Sequence, residues 1–193
     1  MEEHELMALA AGPTLAVVRD ISAERLDSPT PCADYDIGRL VNHLLFWGPS
    51  LKAAARKDAV APPAASEQDV YLTHGDWKDR LVAQTNLLVA AWSEPGAWKG
   101  YTRLGGPMEM PAPMIGGMVL GELVVHGWDI AQAIGQQPTW DDEVLSRVHQ
   151  EVEKTAERGR EMGIYAERVP VLDTASVLDR LLGLTGRDPN WTR

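Results

Sequence analysis

The chain has 193 residues, 45% hydrophobic and 24% charged, with a formal net charge of −10; this suits one soluble globular domain with a sizeable core. Binding a phosphate backbone calls for clustered lysine and arginine; no such cluster occurs, so no nucleic-acid partner is expected. A lone cysteine (Cys32), an acidic N-terminus (MEEHELMALA) and the lack of any unbroken apolar run of the ~18–20 residues that cross a bilayer point to the cytoplasm and to no membrane partner.

Apolar residues at Leu6, Leu9, Ala10, Val17 and Val18 have helical spacing over 3–20, with Pro13 predicting a kink or two short pieces. Residues 26–36, LDSPTPCADYD, read as a loop, and Asp36 is a suitable N-cap for a helix over 37–57. Its apolar stripe is Ile37, Leu40, Leu44, Trp47 and Leu51. Residues 58–70, rich in proline, alanine and acids, read as loop. A third helix over 76–93 places Trp77, Leu81, Leu88 and Trp92 on one side. Turns with short extended pieces follow over 94–110.

A fourth helix, 112–135, ends at a C-terminal glycine, Gly135. A fifth, 141–162, is highly charged and opens on Asp141 and Asp142, suited to the positive end of a helix dipole. Residues 163–172 read as extended, 173–184 as a last helix and the tail as loop. The pattern predicts an all-α domain over 1–193: a four-helix bundle with peripheral helices. Its connections between the second, third and fourth helices are long for a plain up-and-down bundle.

The stretch GELVVHGWD, residues 121–129, carries the chemistry. From Met110 to Trp128 the only formally charged side chain is Glu122, and a lone buried carboxylate is costly unless something pairs with it. His126 lies four residues on, on the same helical face. His43 lies in another apolar helix, LVNHLLFWG. Two imidazoles and one carboxylate are a common divalent-metal set, with positions left for water or substrate. A plain core ion pair between Glu122 and His126, or with Arg and Trp groups, accounts for the same pattern and stays open. His149 and Glu153 have the same spacing amid charged neighbours and read as a surface pair. His4, near a terminus, and His74, in a loop, lack the apolar setting. Asp129, seven residues after Glu122, is a candidate to orient His126 or to bond a nearby loop. Cys32 reads as a small packing residue rather than a reactive thiol. Asp34 and Tyr35 lie in a loop that can reach the pocket, and Trp47 and Trp128 read as core, with a pocket wall as the alternative.

SPTPCADYDIGRLVNHLL at 28–45, GELVVHGWDIAQAIGQ at 121–136 and VLDRLLGLTGRDPNW at 177–191 together resemble the DinB-like superfamily of metal-binding four-helix bundles, in particular the group related to mycothiol-dependent maleylpyruvate isomerase. The resemblance implies His43, Glu122 and His126 as ligands of zinc or nickel. It also implies a low-molecular-weight thiol, mycothiol, as cofactor of a transferase or isomerase acting on a small molecule. The isomerase carries an additional C-terminal domain; this chain, ending at Arg193, is expected to lack it and the isomerisation itself. A metal-dependent hydrolase and a structural or sensing metal bundle, in either case open to homodimerisation, are the alternatives.

Overall fold

A computed structural model describes residues 1–193. Six helices form: α1 (Glu3–Asp20), α2 (Ile37–Ala55), α3 (Trp77–Trp92), α4 (Ala112–Ile134), α5 (Asp142–Glu161) and α6 (Val177–Leu184). The strand content is one hairpin, β1 (Tyr101–Arg103) against β2 (Glu109–Pro111), with Thr102 opposite Met110. The fold is all-α.

In the four-helix ring α1 packs on α3 and α4, and so does α2. Helices consecutive as first and second, or third and fourth, are therefore diagonal. A chain crossing a bundle diagonally needs more residues than one turning to a neighbour; this accounts for the long segments 21–36 and 93–111. The 56–76 segment joins neighbours, α2 and α3, and its length serves the site instead. α5 covers the outer side of α4, and α6 packs on α5.

Local chemistry sets the helix ends. Asp36 Oδ1 accepts the Arg39 amide at 2.7 Å, which starts α2. Gly135, at φ 79°, ends α4 in the left-handed conformation that favours glycine. Ser176 Oγ accepts the Asp179 amide at 3.0 Å, so α6 begins at Val177 and residues 173–176 form a turn rather than the predicted first helical turn. Residues 163–172 pair with no strand; Val169 N–H instead donates to Gly183 O at 3.0 Å. α1 runs unbroken through Pro13: two short pieces do not form, because the buried residues flanking the proline hold the helix against α4. Leu9 is 40% exposed. At 100° per residue it falls outside the arc from Leu6 through Met7 to Ala11 that faces the core.

Buried tryptophans join the helices through their N–H groups. Trp92 Nε1 donates to Leu51 O of α2 and Trp140 Nε1 to Ala10 O of α1, each at 3.0 Å. α4 is, by length and a mean hydropathy of 1.2, apolar enough to cross a membrane despite its glycines and Glu122, but 72% of that stretch is buried inside the bundle.

α1 and α4 meet at Gly127, beside His126. A Cβ there would lie 2.5 Å from Thr14 Oγ1 and 3.1 Å from the Trp140 ring, and Thr14 Oγ1 donates to Leu123 O at 2.7 Å. Thr14 is β-branched and cannot swing away cheaply. Overpacking costs about 1–3 kcal/mol and outweighs the gain of about 0.5–1 kcal/mol in helix propensity. Gly127→Ala should therefore lower the urea midpoint, with a net loss of about 1–2 kcal/mol. A midpoint at or above the parent's would contradict the close approach.

Candidate metal centre

His43 on α2 faces Glu122 and His126 on α4. Helical geometry explains the pairing within α4, since residues four apart share a face; the packing of α2 on α4 brings in the third group. Glu122 Oε2 lies 3.1 Å from His43 Nε2 and 3.5 Å from His126 Nε2. The donor atoms of the three residues all fall within 4.8 Å of one another. The two imidazole rings meet edge-on, centroids 5.2 Å apart. The Glu122 side chain keeps 29% of its surface exposed, so the cluster opens to solvent on one side.

Each imidazole is held from behind by a different carboxylate. His126 Nδ1 is 3.0 Å from Asp129 Oδ2, and His43 Nδ1 is 2.7 Å from Glu67 Oε2. Asp129 is fully buried. It accepts from Arg187 Nη2 at 3.0 Å and from Arg187 Nε at 3.3 Å, while Arg187 Nη1 donates to Thr185 O at 2.9 Å. Asp129 thus both orients His126 and binds the C-terminal loop. Glu67 accepts from Tyr35 Oη at 2.5 Å and from Trp47 Nε1 at 3.1 Å.

The electrostatics follow. Glu67 and Glu122 bond to His43, and Asp129 bonds to His126 and to one permanent cation, Arg187. Burial alone would raise the Glu122 pKa, but the charge of His126 and the hydrogen bond and charge of His43 bring it down to about 2. Burial likewise pulls His43 down; hydrogen bonds to Glu122 and then Glu67 outweigh it and raise the imidazole to about 10. Metal-free, His43 is therefore a doubly donating cation. When both imidazoles are neutral, three carboxylates against one guanidinium leave two uncompensated negative charges, which matches a divalent ion. Both Nδ1 atoms are engaged by carboxylates and both Nε2 atoms face Glu122. This donor set fits a metal, because ligating imidazoles characteristically hand their other N–H to a carboxylate.

Glu67 and Arg187 are members of this cluster that sequence reasoning missed. Glu67 sits in a short 3-10 turn, Glu67–Asp69, with no periodicity to mark it. Arg187 lies in a stretch matched only by resemblance. Tyr35 reaches the site through Glu67, whereas Asp34 is exposed. Trp47 is half-buried and gives its N–H to Glu67 rather than packing wholly in the core; Trp128 is core. His74 is exposed and Glu153 is exposed, and neither joins the cluster; His149, half-buried, forms no ion pair with Glu153. Burial pushes the Cys32 thiol up to about 11 against the opposing influence of Arg187, consistent with a packing residue.

The metal-free form should show a distinct pH dependence. His43 is raised from an ordinary 6.5 to about 10; its stabilisation is complete below 6.5 and lost as pH rises through 10. Glu122 is lowered from 4.5 to about 2, so its stabilisation is complete above 4.5 and lost as pH falls through 2. Urea midpoints of chelator-treated protein should therefore decline between pH 6.5 and 10, and His43→Gln should flatten that decline. An alkaline limb that persists unchanged in the variant would refute the assignment.

A family model described as the mycothiol maleylpyruvate isomerase N-terminal domain matches residues 8–131. Two uncharacterized proteins of Mycobacterium tuberculosis, MT0763 of strain CDC 1551 / Oshkosh and Rv0738 of strain ATCC 25618 / H37Rv, are each 27% identical over 134 residues, 67% of this chain. The chain spans 65% of the length of these curated relatives. A crystal structure of the mycothiol-dependent maleylpyruvate isomerase superposes with a TM-score of 0.65 at 11% identity, covering 98% of this chain and 91% of that chain. That likeness is one of fold, and it runs past the family match into α5 and α6. Only a small part of the isomerase chain lies outside the overlay. The match over residues 8–131 takes in His43, Glu122 and His126, and the chain belongs to the mycothiol maleylpyruvate isomerase N-terminal domain family.

Proposed function

We propose that this chain binds one zinc or nickel ion through His43 Nε2, a Glu122 carboxylate oxygen and His126 Nε2, and works as a transferase or isomerase that depends on a low-molecular-weight thiol of the mycothiol kind. The observation that carries the reading is the paired imidazole support: Glu67 behind His43 and Asp129 behind His126, with both Nε2 atoms turned to one Glu122 oxygen. Family membership supports the thiol. Once bound, the ion would supply a Lewis-acidic point that favours the thiolate form of a thiol.

The chain's own residues prepare this site. Arg187 fixes Asp129, and Asp129 fixes the His126 ring. Tyr35 and Trp47 fix Glu67, which fixes His43. The solvent-facing side of Glu122 leaves an approach for a small molecule. Burial pushes the Cys32 thiol up to about 11, which disfavours its thiolate near pH 7 and supports an external thiol as the reactive sulfur.

Elemental analysis of tag-free protein should find about one equivalent of zinc or nickel, and His126→Ala should lose it. Calorimetry should then detect mycothiol binding to the loaded protein and none after chelation, and the loaded protein should conjugate the thiol to a small electrophile. Parent protein that neither carries nor takes up a divalent ion would contradict the reading. Ester turnover without thiol would favour a hydrolase instead.

A further inference from the structure

Glu67 and Asp129 stand in equivalent positions behind the two imidazoles, yet they are built in different ways. Asp129 lies on the same helix as His126, three residues on, and is locked in the core by Arg187. Glu67 comes from the segment between α2 and α3 and reaches His43 from 24 residues away in sequence. Its carboxylate is shared by three donors: His43 Nδ1, Trp47 Nε1 and Tyr35 Oη. The backbone of the same turn is held as well. Asn42 Nδ2 donates to Glu67 O at 3.0 Å, and Asn42 Oδ1 accepts the Leu72 amide at 2.7 Å. Ser66 closes the turn on itself, with its Oγ accepting the Gln68 amide at 3.2 Å and its amide donating to Asp69 Oδ2 at 3.1 Å.

Asn42, His43 and Trp47 all lie on α2, and Tyr35 lies just before it. The turn over 66–72 is therefore strapped to the helix that carries one metal-ligand candidate, and the strap ends in the carboxylate behind that imidazole. A carboxylate at Nδ1 keeps the proton on that nitrogen, leaves the Nε2 lone pair for the ion and makes the ring a stronger ligand. Without it the ring can rotate about its outer torsion and offer either nitrogen.

Resting on the reading of His43 as a ligand, we infer that Glu67 is a positioning residue that acts on the bound ion through His43, and that ion loading and ordering of the 66–72 turn are coupled. The coupling is reciprocal by thermodynamic necessity: whatever factor the turn adds to ion affinity, the ion adds to the stability of the turn. Asp129 differs in that it lies on the same helix as His126, three residues on, so the segment between α2 and α3 plays no part in placing it.

Three readings test this: zinc affinity by chelator competition, hydrogen exchange of the 66–72 amides with and without zinc, and the tautomer of His43 by nitrogen NMR. The parent should hold zinc with His43 in the Nδ1–H form, and zinc should slow exchange at Leu72. Glu67→Ala should bind zinc about 10–100-fold more weakly, lose the single tautomer and abolish the zinc-dependent slowing. Glu67→Gln, whose amide oxygen still accepts from Nδ1–H, should lose less. Tyr35→Phe should lie between parent and Glu67→Ala, and it carries the test if the alanine variant fails to fold. Parental zinc affinity in both Glu67 variants, or zinc binding with no change in exchange over 66–72, would overturn the inference while leaving the metal reading intact. A parent that takes up no zinc would overturn both, and Glu67 would be only an anchor for its loop.

Discussion

A carboxylate placed in an apolar helix has to be neutralised, and Glu122 sets that requirement for this molecule. α4 is the hub of the bundle: it packs against α1, α2 and α5, and it carries no other formal charge until Asp129. Burying an unpaired carboxylate costs several kcal/mol. Two imidazoles meet Glu122, and each in turn demands an acceptor for its other nitrogen. Supplying those acceptors brings in Glu67 and Asp129, and Asp129 brings in Arg187. One half-buried charge thus accounts for a chain of contacts from the 3-10 turn at Glu67 to the C-terminal loop.

The topology delivers these groups. α1 and α2 are diagonal in the ring, as are α3 and α4, so segments 21–36 and 93–111 are long; segment 56–76 is long although it joins the neighbours α2 and α3. The segment before α2 provides Tyr35, the segment after it provides Glu67, and the loop beyond α6 folds back to bury Arg187 on Asp129. Loops over a rigid helical frame are the usual carriers of function. Here the frame itself provides His43, Glu122 and His126, and the loops provide what aims and steadies them.

Much of this was legible in the sequence. Asp36 and Gly135 marked helix ends through their own cap chemistry. Glu122 and His126 stood out because an i, i+4 polar pair in an apolar helix needs a partner, and His43 was the histidine whose neighbours were equally apolar. What stayed hidden depended on contacts between distant parts of the chain. Nothing in the loop 58–70 separates Glu67 from the other two acids there, Asp58 and Asp69; its place at the cluster comes from Asn42 holding its backbone. Arg187 sits among polar tail residues, and only the turn after α6 makes it a buried cation. Of the two outcomes Pro13 left open, a kink or two short pieces, the second does not form, because burial on both sides of the proline holds the helix together.

The most direct test of the account is where a metal goes. Crystals of the zinc-loaded protein, with diffraction recorded on either side of the zinc absorption edge, would locate the ion. The account predicts one anomalous peak bounded by His43 Nε2, Glu122 and His126 Nε2, with Glu67 and Asp129 still on the two Nδ1 atoms. A strong peak elsewhere on the chain, with His43 still bonded through Nε2 to Glu122, would contradict it.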